Sequence, residues 1–162
     1  MRILLILAVT YVAVVLQIGL CPWLRIADAA PDMLALEALA VVLIASSPYG
    51  FMWAAWIGLL HDLVSAGSLG VAMFWFAAVG YAVQRVRDHF YLANSLARAG
   101  VVAAGTAVAV AGVVVTQRLL GQTPLEWRAM PLYSAGVGLY TAAVALPIFL
   151  LLWSHKQLAP GA

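Results

Sequence analysis

Ser46-Ser47-Pro48-Tyr49-Gly50 lies inside a run, residues 38–60, that carries no charged side chain. How these five residues are read decides the fold. Taken as continuous helix, the run is one long apolar segment; taken as a break, it is two. Proline removes a backbone donor and disfavours helix in the residue before it, so Pro48, with serines on one side and Gly50 on the other, predicts a turn. Upstream, Ala30-Pro31-Asp32 reads as a helix start, with proline at the first position and an acid facing the positive helix end. One segment then runs over about 31–47 and the next over about 49–65. A second break follows at Ala66-Gly67-Ser68-Leu69-Gly70, where Gly67 and Gly70 permit a tight turn. Working outward in both directions gives six segments: 3–22, 31–47, 49–65, 71–86, 96–119 and 132–153.

Composition fixes the solvent these segments face. Of 162 residues, 66% are apolar and 9% charged, against about 45–50% and about 25% in an ordinary soluble domain. A chain of this size has too little interior to hide so much apolar surface from water. That excludes a soluble domain, a nucleic-acid binder and a disordered chain, and predicts an all-α bundle of six transmembrane helices in a single polytopic membrane domain over 1–162. A helix crosses the hydrocarbon core with about 20 apolar residues; the second and fourth segments are short and fit with little tilt or local thinning.

Positive charge favours the cytoplasmic side. With the N-terminus inside, Arg2, Arg85, Arg87, Arg98 and Lys156 fall in the cytoplasm, and Arg25, Arg118 and Arg128 outside. A five-span map with the N-terminus outside gives the same balance, but it needs a two-residue turn at His61-Asp62 and an unbroken helix through Pro48. The first apolar run is long for a signal peptide, and no small-x-small cleavage site follows it, so it reads as a retained helix. Both termini are expected on the cytoplasmic side of the membrane.

Gly100–Ala104, Gly105–Ala109 and Gly138–Ala142 are pairs of small residues four apart, which let helix backbones approach closely. Pro147 is expected to kink the last segment. Trp23, Tyr49, Tyr91, Trp127, Tyr133 and Trp153 fall near the proposed boundaries, as in interfacial aromatic belts.

Ionisable groups inside spans are costly in lipid and usually face protein or water. Here they are Glu37, His61 and Asp62, and Gln17 adds a polar amide. At about 1.5 Å per residue, Glu37 lies roughly 7–8 Å in from Asp32, and the six-segment map puts all four at similar depth, in the outer third of the membrane. They form a candidate polar cluster: a hydrogen-bonded knot that fixes the helix arrangement, a site for a small ligand or a partner's residue, or a site of catalysis or proton transfer. Asp62 is expected to accept hydrogen bonds from the turn that follows it.

Motifs for chemistry are absent from the sequence: there is no Gly-x-Ser-x-Gly, no His-Glu-x-x-His and no P-loop. The carboxylates at 28, 32, 37 and 62 are too scattered for a paired active site. One cysteine, Cys21, allows no internal disulfide and no Cys-based zinc site. No catalytic residue, metal or cofactor is called for.

Leu16-Gln17-Ile18 followed by Pro22-Trp23, Ala30-Pro31-Asp32-Met33-Leu34, and above all His61-Asp62-Leu63-Val64-Ser65-Ala66-Gly67-Ser68-Leu69-Gly70-Val71 resemble the MreD family of bacterial rod shape-determining membrane proteins. The resemblance covers residues 11–90; Glu37 departs from the common pattern. It implies a non-enzymatic component of the cell-elongation machinery that binds MreC, and through it acts with the class B transpeptidase, the glycosyltransferase RodA and cytoplasmic MreB filaments in lateral-wall peptidoglycan synthesis. It also implies a helix arrangement similar to the substrate-binding subunits of energy-coupling-factor transporters, which leaves a solute-binding transporter subunit as the competing function.

Overall fold

The computed structural model describes residues 2–25, 29–44, 49–65, 67–89, 94–123 and 126–157, with the side chains of 2, 3, 5 and 152–157 excepted. Pro48, Asp28, Tyr91 and the side chain of Trp153, singled out above, lie outside the described residues. The described chain is all-helical: α1 (Arg2–Gly19), a short 3-10 turn (Cys21–Leu24), α2 (Met33–Ile44), α3 (Gly50–Val64), α4 (Val71–His89), α5 (Ser95–Leu119) and α6 (Met130–Gln157). Among these, α5 and the stretch of α6 over Met130–Leu151 are long and apolar enough to cross a bilayer, and Ile6–Gly19, α2 and α3 are shorter apolar helices.

Several boundaries differ from the sequence reading: α4 runs on to His89 and α6 covers Met130–Gln157, and two further differences have a local cause. The first helix stops at Gly19 rather than 22, because Pro22 has no N–H to continue the ladder; the chain tightens into the 3-10 turn, with Trp23 N donating to the Leu20 carbonyl at 3.0 Å. The second begins at Met33, with Pro31 ahead of it. Asp32 takes the N-cap: its Oδ1 accepts from Ala35 N at 2.9 Å and its carbonyl from Leu36 N at 3.0 Å. A carboxylate at that position satisfies a first-turn donor that a helix otherwise leaves unpaired.

α2 sits at the centre. Leu34 and Val42 are fully buried, and Ala35, Ala38 and Leu39 are nearly so. A helix apolar on every face belongs inside a bundle, and α2 packs against α1, α3, α4, α5 and α6. The other helices close round it through glycine. A Cβ on Gly58 of α3 would stand 2.7 Å from the Ala72 carbonyl oxygen of α4, and one on Gly138 of α6 2.5 Å from the Ala103 carbonyl oxygen of α5. Gly105 receives Leu39 of α2, and Gly112 lies under the Trp75 ring. Of the small-residue pairs on α5, Gly105–Ala109 is buried in the bundle, whereas Gly100 and Ala104 face outward, with nothing within 4 Å of a Cβ on Gly100. Trp23, Tyr49 and Trp127 are exposed.

Candidate functional site

At the end of the bundle where α2 begins, polar side chains from three other helices meet the α2 entry. His61, in the last turn of α3, places Nε2 3.3 Å from Asp32 Oδ2, with the histidine side chain 17% exposed and the aspartate 8%. Thr141, fully buried on α6, accepts from Asp32 N at 3.0 Å. Gln17 of α1 uses Oε1 to accept from Met33 N at 2.8 Å, and Cys21 Sγ lies 3.8 Å from the same oxygen. Two of the first backbone N–H groups around the helix start are therefore satisfied by side chains from other helices, and a third by Asp32 itself. The Asp32–Thr141 bond is buried and the Met33–Gln17 bond partly so, and an unmade bond at the buried one is costly. The His61 ring also packs against Phe76 at 5.3 Å between centroids, and Ser65 Oγ lies 3.0 Å from His61 Nδ1 and donates to the His61 carbonyl.

Asp62 faces the other way. Its Oδ2 accepts from Gly70 N at 2.9 Å and Met73 N at 3.2 Å, and its Oδ1 from Ala72 N at 2.9 Å. The carboxylate thus caps the start of α4 from eight residues upstream. Gly70 makes this possible with φ +94°, a region that favours glycine. Gly67 lies beside the Gln117 side chain of α5. Gly50, the other turn glycine, is the buried first residue of α3 and sits against Val42 of α2.

Glu37 stands apart again. It is 3% exposed, on the side of α2 that faces α1, and Oε1 lies 2.6 Å from Thr10 Oγ1. Its second oxygen is buried with no hydrogen-bond partner among the described residues.

The four residues singled out in the sequence therefore occupy three stations. Gln17 and His61 converge on the α2 entry, Asp62 organises the α3–α4 turn, and Glu37 seals α1 to α2. Sequence reasoning treated Asp32 only as a helix start and passed over its pairing with His61; it did not single out Thr10 or Thr141. A signal for Thr10 was available: Thr10 and Gln17 are seven apart, on one face of α1. Thr141 had none, being one hydroxyl in a run of small residues. No group of three or more His, Cys, Asp or Glu side chains among the described residues is placed to hold a metal ion. A void lined by Ala35, Ala38, Leu39, Phe76, Val79 and Ala109 measures about 10 Å³, about the room one water needs, and it is apolar.

No curated protein and no solved structure matches this sequence. The family model for rod shape-determining protein MreD matches residues 1–154, nearly the whole chain with all six helices, and by that match the chain belongs to the MreD family, whose role is in rod shape determination.

Proposed function

We propose that this protein is a non-enzymatic, six-span inner-membrane component of the bacterial cell-elongation machinery, with both termini cytoplasmic, that binds MreC mainly through its helices and so influences lateral-wall peptidoglycan synthesis. RodA, the class B transpeptidase and MreB are indirect partners. The family match over residues 1–154 carries the reading. The exposed apolar sides of α1 and α6 support it: Tyr11 and Ile18 on α1, and Leu132 and Leu139 on α6, are more than half exposed in the isolated chain. Such faces meet lipid or another helix by van der Waals contact.

The test is to replace the single transmembrane helix of MreC with an unrelated one, leaving its periplasmic domain intact, and to co-purify the two proteins from native membranes. Co-purification is expected to fall sharply. Undiminished recovery would assign the contact to loops or to the periplasmic domain. For topology, a cysteine at His89 is expected to resist an impermeant thiol reagent applied from outside, and one at Gln122 to react; the reverse pattern removes the six-span map.

A further inference from the structure

Thr10 Oγ1 lies 2.9 Å from the Ile6 carbonyl oxygen and 2.6 Å from Glu37 Oε1. A threonine hydroxyl has one hydrogen to give. Both contacts are full two-centre hydrogen bonds only if Thr10 donates to Ile6 and Glu37 supplies the other hydrogen, as a neutral carboxylic acid donating to Thr10 Oγ1; a single threonine hydrogen shared between the two oxygens would leave each bond weaker. The environment argues the same way. Glu37 is 3% exposed, Oε2 has no partner among the described residues, and no described cation is paired with it. An ionised carboxylate with one hydrogen bond and no counter-charge in an apolar seam is strongly disfavoured, whereas an unpartnered carbonyl oxygen of the neutral acid is not a buried charge.

We propose that Glu37 is a proton-binding site whose neutral form latches α1 onto α2 and whose ionisation undocks α1. When the proton leaves to water, the carboxylate is left on α2 facing an α1 that offers it only the Thr10 hydroxyl, and separation of the helices is what lets water reach the charge. Among the described side chains, the ionisable groups on the packed elements include the Asp32–His61 pair at the α2 entry, which engage each other, Cys21 just past α1, whose thiol lies on Gln17, and Asp62 of α3, whose carboxylate is taken up by the start of α4. Arg87 of α4 lies at the opposite end, where its Nη1 donates to the Val42 carbonyl at 2.7 Å beside Asp88. Tyr11 of α1 is exposed. None of these is hydrogen-bonded to Glu37, so the latch responds to its own proton. The ligand is a proton reaching the α1–α2 seam, and the responding part is the peripheral first helix.

The experiment uses the full chain in lipid nanodiscs. The apolar reagent dicyclohexylcarbodiimide adds to protonated carboxyl groups, and peptide mass spectrometry locates the adduct. Labelling of Glu37 is expected near neutral pH and is expected to fall by roughly tenfold per pH unit once the proton is being lost at higher pH. In parallel, spin labels at Tyr11 and Met52, both exposed, in a Cys21→Ala background, report the α1–α3 separation. The distance distribution is expected to be narrow while Glu37 labels and to broaden over the pH range where labelling disappears. Glu37→Gln, which keeps a donor for Thr10 and cannot ionise, is expected to remain narrow throughout. Failure of Glu37 to label at any pH overturns the proton site. Loss of labelling with an unchanged distance, or broadening that persists in Glu37→Gln, overturns the latch.

Discussion

The imidazole of His61 and the carboxylate of Asp32 meet at 3.3 Å, so the last turn of α3 is fastened to the first residue of α2's cap across 29 residues of sequence. Asp32 is at once the N-cap of α2 and the acceptor for His61, and with Thr141 and Gln17 on the neighbouring amides the entry of the central helix depends on three other helices. His61→Ala leaves a mostly buried carboxylate without its partner. The expected loss is about 3 kcal/mol or somewhat less, since the histidine retains some solvent contact. Thermal unfolding of the purified protein in detergent reads it; an unchanged midpoint would show the pair to be incidental.

Thr141 gives a cleaner test of the same station. Thr141→Val preserves shape and removes the acceptor for Asp32 N, leaving a buried N–H unpaired at a cost of about 1–3 kcal/mol. Thr141→Ser keeps the hydroxyl and is expected to stay near wild type. Equal stability of the valine and serine variants would mean that water substitutes for the threonine.

Asp62 should separate charge from shape. Asp62→Leu strips the acceptors from Gly70, Ala72 and Met73, of which Ala72 is fully buried, at about 1–3 kcal/mol for each group left buried and unpaired. Asp62→Asn keeps one oxygen and is expected to lose less. If cell shape follows protein abundance across both variants, the role is structural. If Asp62→Asn disturbs rod growth while the protein remains folded and abundant, the carboxylate serves a partner.

The glycines offer a contrast within one experiment. Gly58→Ala and Gly138→Ala place a methyl against backbone of the facing helix, which must move apart, with an expected cost of about 1–3 kcal/mol. Gly100→Ala meets open space and is expected to be neutral or slightly stabilising through helix propensity. A destabilised Gly100→Ala would reveal that this face is covered by another copy or partner in the purified sample.

Much of this architecture was legible because breaks in helices are written locally. Pro22, Asp32 and the Gly67–Gly70 turn carry their meaning within a few residues, and the helices begin and end close to them. The pairing of polar groups was not legible in the same way. Depth along a helix follows from counting residues, and Gln17 and His61 do lie together at the α2 entry. Azimuth does not follow, since Asp62 and His61 are neighbours in sequence yet point about 100° apart around a helix, one to α4 and one to α2. In an apolar helix such as α2, with no polar side to orient it, nothing local says which residue faces which neighbour. Glu37 could be placed in depth and not assigned to α1.

The station at the α2 entry also has a chronology. A ribosome delivers Gln17 before α2, His61 shortly after it, and Thr141 only with α6, 109 residues after the Asp32 amide it receives. Until α6 arrives, the most central helix holds an unanswered donor at its threshold. A nascent or truncated chain that lacks α6 therefore presents a polar flaw at its core until the last helix docks.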